Sequence, residues 1–129
     1  FMNFPLDADC NPMVKRSNGI SCMLSKSLIC TENNEHAWEM HKTYFDNQRN
    51  LRSKESANKL VNDMVAKYKM NKKTFNACME SEETKNTLLK QIDQAVKNRV
   101  TGTPAIFVNG RKLNRGQFPQ VLEAVHEQL

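Results

Sequence analysis

The dipeptide Asn109-Gly110, set between two runs of strand formers, constrains this chain more than any other feature. Both central residues of a type I′ turn need positive φ, and Asn followed by Gly supplies it at the least steric cost. Ala105-Ile106-Phe107-Val108 therefore predicts a short apolar strand, and Arg111-Lys112-Leu113 its antiparallel return. Phe118, Val121, Leu122, Val125 and Leu129 recur at three- and four-residue steps, which predicts a closing amphipathic helix.

Upstream the pattern changes. Phe1 to Leu6 is rich in strand formers, and Pro5 marks the end of an expected strand over 1–6. Asp7 to Gly19 carries Asp, Asn, Pro, Ser and Gly and reads as a loop. Ile20, Met23, Leu24 and Leu28 then share one helical face, and Asn33 with Asn34 breaks that helix. Ala37, Trp38, Met40, His41, Tyr44 and Phe45 form a second apolar stripe. Ser53 suits the N-cap of a third helix, whose face is Leu60, Val61, Met64, Val65 and Tyr68. A short helix over 74–79 follows, and Ser81-Glu82-Glu83 opens another with its acids where the helix dipole favours them. Its face is Leu88, Leu89, Ile92, Ala95 and Val96. The expected order is strand, four or five helices, hairpin, helix. This is a mixed α/β architecture in which a helical block over 17–99 interrupts a small sheet. With 129 residues and no internal repeat, 1–129 is expected as a single domain.

Charge and composition exclude several classes. The formal net charge is +5, but Lys and Arg are spread along the chain instead of forming a stripe with interleaved aromatics. A nucleic-acid partner is not expected. No run approaches the roughly 20 apolar residues that a membrane span needs. Phe1 to Leu6 has no basic start or cleavage site, so it is not a signal peptide, and a preceding N-terminal piece is expected. His36, His41 and His126 have no nucleophile pattern around them, and Asp7, Asp9 and Glu39 read as caps.

Cys10, Cys22, Cys30 and Cys78 are an even set. With His36 they could be offered as a zinc site, but there is no Cys-x-x-Cys knuckle and the gaps are irregular. No metal site is expected. If Ile20 to Cys30 is one helix, Cys22 and Cys30 stand about 12 Å apart along its axis. A disulfide needs Cα atoms within roughly 7 Å, so these two cannot pair. Two connectivities remain. One is Cys10–Cys22 with Cys30–Cys78, the other Cys10–Cys30 with Cys22–Cys78. The loop holding Cys10 lies close in sequence to the helix start, which favours the first. Structural bridges are the expected role of all four.

Thr101-Gly102-Thr103-Pro104, followed by the strand, Asn109-Gly110 and the terminal helix, resembles the cis-proline segment of thioredoxin-fold proteins. Phe4-Pro5-Leu6-Asp7 with Cys10-Asn11 is similar to the second strand of DsbA-like proteins and its exit. Trp38-Glu39-Met40-His41 through Phe45-Asp46-Asn47-Gln48, and Phe75-Asn76-Ala77-Cys78-Met79, resemble that group's helical insertion. The likeness covers essentially the whole chain.

The resemblance implies a thioredoxin-like fold with a helical insertion, and 103–129 as its cis-proline strand, hairpin and terminal helix. It implies a periplasmic or other extracytoplasmic oxidoreductase that makes, breaks or reshuffles protein disulfides without a cofactor. In such enzymes a Cys-x-x-Cys pair opens the first helix, where the dipole stabilises the attacking thiolate. Thr103 and Pro104 are the positions expected to face that pair and bind substrate, and Trp38 and His41 are candidates to line the substrate groove. No Cys-x-x-Cys occurs in this chain, so no catalytic residue is assigned in it, and the family's N-terminal strand and first helix are missing from it. An N-terminal segment, a partner chain in a strand-swapped dimer, or a different closure of the sheet would each account for this. The expected partners are protein thiol and disulfide substrates and a membrane thiol oxidase or reductase. The rival expectation is a non-catalytic peptide-binding or chaperone module.

Overall fold

The computed structural model describes residues 1–31 and 33–129; it is rich in helix, with one two-stranded sheet. It divides into two compact units, Phe1–Gln94 and Ala95–Leu129.

In the first unit, α1 is Ser21–Ile29, α2 Asn34–Asp46, α3 Lys54–Lys67 and α4 Lys72–Glu80, with a 3-10 turn at Gln48–Asn50; α5, Glu82–Lys97, begins here. The polar residues between the apolar stripes set the helix starts. The Asn33 side chain accepts the N–H groups of Glu35 and His36, so it opens α2. Ser53 and Ser56 cap α3 reciprocally, Asn71 accepts the Thr74 N–H, and the Ser81 hydroxyl accepts the Thr84 N–H at 3.1 Å. Each satisfies a donor that the first helical turn leaves without a partner. Leu28, Met40, Tyr44, Val61, Met64, Val65 and Phe75 form the core. The Cys30–Cys78 disulfide joins α4 to the end of α1 beside it.

The strand expected over 1–6 does not form, and the fate of its backbone groups explains why. The Asn3 N–H and its side-chain amide both donate to Gln91 Oε1 on α5, each at 2.9 Å. Pro5 has no N–H, and its carbonyl accepts the Asn11 side-chain amide at 2.8 Å. A strand needs a neighbouring ladder; here side chains take those bonds. Asn3, Pro5 and Asp7 are nevertheless buried while Met2 and Leu6 are exposed, which keeps a period of two.

In the second unit, β1 (Phe107–Val108) pairs antiparallel with β2 (Arg111–Lys112), Phe107 opposite Lys112 and Val108 opposite Arg111. Asn109 and Gly110 lie at φ +49° and +77°, as the turn requires. The ladder is shorter than the run of apolar residues; the Leu113 N–H to Ile106 carbonyl bond (2.9 Å) extends it by one step. Gly116 is buried beside it, where a Cβ would stand 2.8 Å from Ile106 Cβ and 2.9 Å from Leu113 Cβ. Only a residue without a side chain lets the chain pass so close before α6, Pro119–Glu127.

Candidate functional site

The second apolar stripe of the sequence is two stripes in the structure. Ala37, Met40 and Tyr44 are buried, and they hold α2 to the core. Trp38, His41 and Phe45, one position further round, form an outward strip at the same three- and four-residue spacing. Phe1 completes it: its ring lies 4.5 Å from Trp38 and 4.6 Å from His41, and His41 lies 4.9 Å from Phe45. Phe1, Trp38 and Phe45 each keep about half or more of their surface exposed. Half-burial among these rings, and then the Phe1 α-ammonium, lower the pKa of His41 below its usual value. Trp38 and His41 are therefore together on one face. Phe1 and Phe45 belong to it as well, although the sequence reading assigned them to a strand and to the core stripe.

Thr103 and Pro104 belong to the second unit. Both are exposed, and the peptide bond between them is cis. The main chain of Thr101 to Ala105 makes no hydrogen bond among the described residues. Thr101 to Pro104 are exposed and Ala105 is half-buried.

The structure joins Cys10 to Cys22 (Cα–Cα 6.0 Å) and Cys30 to Cys78 (5.8 Å), the first of the two pairings left open by the sequence. The Thr84 hydroxyl lies 3.2 Å from Cys78 Sγ and 3.5 Å from Cys30 Sγ. Cys22 sits in the first turn of α1, the position where a helix dipole would favour a thiolate. Its backbone, however, is bonded to the buried carboxylate of Asp7, which opposes a second negative charge beside it. Among the described residues there is no free cysteine, and no group of three or more His, Cys, Asp or Glu is placed to hold a metal ion. These sulfurs staple loops and helices; an attacking thiolate would have to come from elsewhere.

No described helix is long and apolar enough to cross a membrane. Comparison with known families matches residues 12–127 to the model of the DSBA-like thioredoxin domain. No curated protein and no solved structure matches the chain.

Proposed function

The chain belongs to the DSBA-like thioredoxin domain family, and from that premise we propose that it is the substrate-binding and helical part of a thiol:disulfide oxidoreductase. The family acts on protein thiols and typically works outside the cytoplasm. The observation that carries the proposal is the match over 12–127, which takes in both the helical block and the Thr103-Pro104 loop. The open main chain of Thr101 to Ala105 is consistent with a loop that pairs with substrate backbone. The aromatic strip of Trp38 and His41 suits an apolar groove wall.

In this reading a dithiol on a segment preceding Phe1, or on a partner chain, supplies the chemistry. A substrate thiolate attacks one sulfur of the oxidised pair, forming a mixed disulfide and releasing the other sulfur as a thiolate. A second substrate thiolate then attacks the substrate sulfur of that bond. The substrate leaves as a disulfide, and the pair keeps the two electrons as a dithiol. Isomerisation and reduction use the same steps in other orders. An extracytoplasmic location and a membrane thiol oxidase or reductase as redox partner belong to the same proposal. Two parts of one domain, 17–99 as helical insertion and 103–129 as cis-proline strand, hairpin and helix, would serve it.

The test is the parent gene and its product. A Cys-x-x-Cys encoded within about 40 residues before Phe1, an allowance of one strand and a helix start, is expected. A protein that includes it should catalyse the reduction of insulin by a small-molecule dithiol, while the 129-residue chain should not. A parent without that motif, with no dithiol-bearing partner, sinks the redox reading. Binding of reduced polypeptide without turnover would favour the peptide-binding alternative.

A further inference from the structure

An open groove of about 580 Å³ lies between α1, α3 and α4, within the size range of ligand sites. Its two walls repeat one pattern. On α3, Lys54, Asn58 and Asn62 stand at four-residue steps; on α4, Lys72, Asn76 and Glu80 do the same. Four residues is close to one helical turn, so each set makes a polar ridge along its helix. Between the ridges the floor is apolar, from Val61, Phe75 and Met79 with Met23 of α1. The Cys10–Cys22 disulfide also lines it. Lys54 lies across Gly19, where an added Cβ would stand 2.6 Å from its Cε, so the lysine stem passes close over the loop.

The amides of Asn58, Asn62 and Asn76 make no hydrogen bond among the described residues. Lys26, Lys54 and Lys72 take part in no ion pair among them either. Of the two acids in the groove, Asp9 accepts the Ser17 hydroxyl and Glu80 stands two turns beyond Lys72 on α4, so Lys26, Lys54 and Lys72 outnumber the carboxylates there. A side-chain amide both donates and accepts, so amides on two facing walls match the alternating N–H and C=O groups of an extended polypeptide whatever its sequence. The apolar floor suits every second side chain of such a strand. The unpaired ammonium groups select carboxylates among the rest. No arginine and no exposed ring lines the groove, so stacked bases find no match there.

We propose that the groove between α1, α3 and α4 binds an extended, acidic polypeptide segment. This does not rest on the redox reading, because the chain carries the groove with all four cysteines in disulfides. The test is fluorescence anisotropy of the full 129-residue chain with a fluorescein-labelled peptide, Ser-Glu-Ala-Leu-Glu-Ser-Val-Glu-Gly, and with its lysine-for-glutamate counterpart. The acidic peptide should bind about tenfold more tightly than the basic one. Lys72→Glu should weaken it about fivefold, and Lys90→Glu, the same charge change on α5 outside the groove, less than about twofold. Asn58→Ala with Asn62→Ala should weaken it without changing the preference for acid. Absence of saturable binding, equal affinity for the two peptides, or an equal effect of Lys72→Glu and Lys90→Glu would each overturn the proposal.

Discussion

Asp7 Oδ2 accepts the backbone N–H of Cys22 at 3.2 Å, which ties the loop after the first segment to the first turn of α1. The other carboxylate oxygen accepts the N–H groups of Asp9 and Asn18, each at 3.2 Å, and shares the Ser17 hydroxyl, 3.3 Å away, with the Asp9 carboxylate. The side chain is fully buried. Burial alone would raise the pKa of Asp7, but the donations from Asp9, Cys22, Asn18 and Ser17 together outweigh it and hold the carboxyl below its ordinary value. The negative charge also meets the positive end of the α1 dipole.

Asp7→Asn should therefore destabilise the protein by about 2 kcal/mol at neutral pH, since an amide cannot accept at both ends. A carboxyl whose folded pKa is depressed stabilises the fold above its unfolded pKa, about 3.9, and that contribution is lost as pH falls through the folded value. The gap between wild type and variant should accordingly narrow in acid. Urea midpoints at about pH 7 and about pH 3 measure it, and an undiminished gap at the lower pH would contradict this account.

The two disulfides should differ in worth. Cys10–Cys22 closes a short loop, with a sequence separation of 12, and Cys30–Cys78 a longer one of 48. Chain-entropy reasoning puts their contributions at about 3 and about 4 kcal/mol. Replacing both members of each pair by serine should cost more at Cys30 and Cys78, where Thr84 would also lose its sulfur neighbours. Denaturation of the two double variants decides it, and the reverse order would mean that native-state contacts outweigh loop closure.

Gly116→Ala should unsettle the second unit alone. Its Cβ would press on Ile106 and Leu113, whose carbonyl and N–H form the last bond of the hairpin. Overpacking of this kind costs about 1–3 kcal/mol. Amide exchange at Leu113 should accelerate, while exchange in the core helices α2 and α3 stays as in the wild type. Unchanged protection at Leu113 would show that the loop moves aside.

Local rules made much of this legible in advance. Asn109-Gly110 announced the turn because its φ demand is met by few residue pairs, and Ser53 announced the α3 cap. Spacing also found the buried faces of α3 and α5, but on α2 it joined the outward Trp38, His41 and Phe45 to the buried Ala37, Met40 and Tyr44. The strand over 1–6 was misread because a strand is a relationship: whether Asn3 and Pro5 pair with a neighbour depends on Gln91 and Asn11, which no local pattern reveals. Phe1 entered the aromatic strip for the same reason, through a contact 37 positions away at Trp38. The groove between α3 and α4 was equally hidden. Lys54-Asn58-Asn62 reads as an ordinary solvated face until Lys72-Asn76-Glu80 stands opposite it.

The Tyr44 hydroxyl and Ser27 Oγ are 2.6 Å apart inside the core, and Ser27 donates onward to the Leu24 carbonyl at 2.7 Å. Tyr44 is then the donor to Ser27. Burial pushes the phenol up to about 12, against the opposing pull of the Ser27 bond. A phenol whose folded pKa is raised stabilises the fold fully below its unfolded value of about 10, and that stability is lost as pH rises through about 12. Tyr44→Phe should cost about 1 kcal/mol at neutral pH through the lost hydrogen bond. It should also remove part of the alkaline decline, so that the two proteins converge in stability above about pH 10, where only the tyrosine chain gains by ionising when unfolded. Thermal melts across that range test this. A phenylalanine variant that declines as steeply as wild type would place the alkaline sensitivity in other groups.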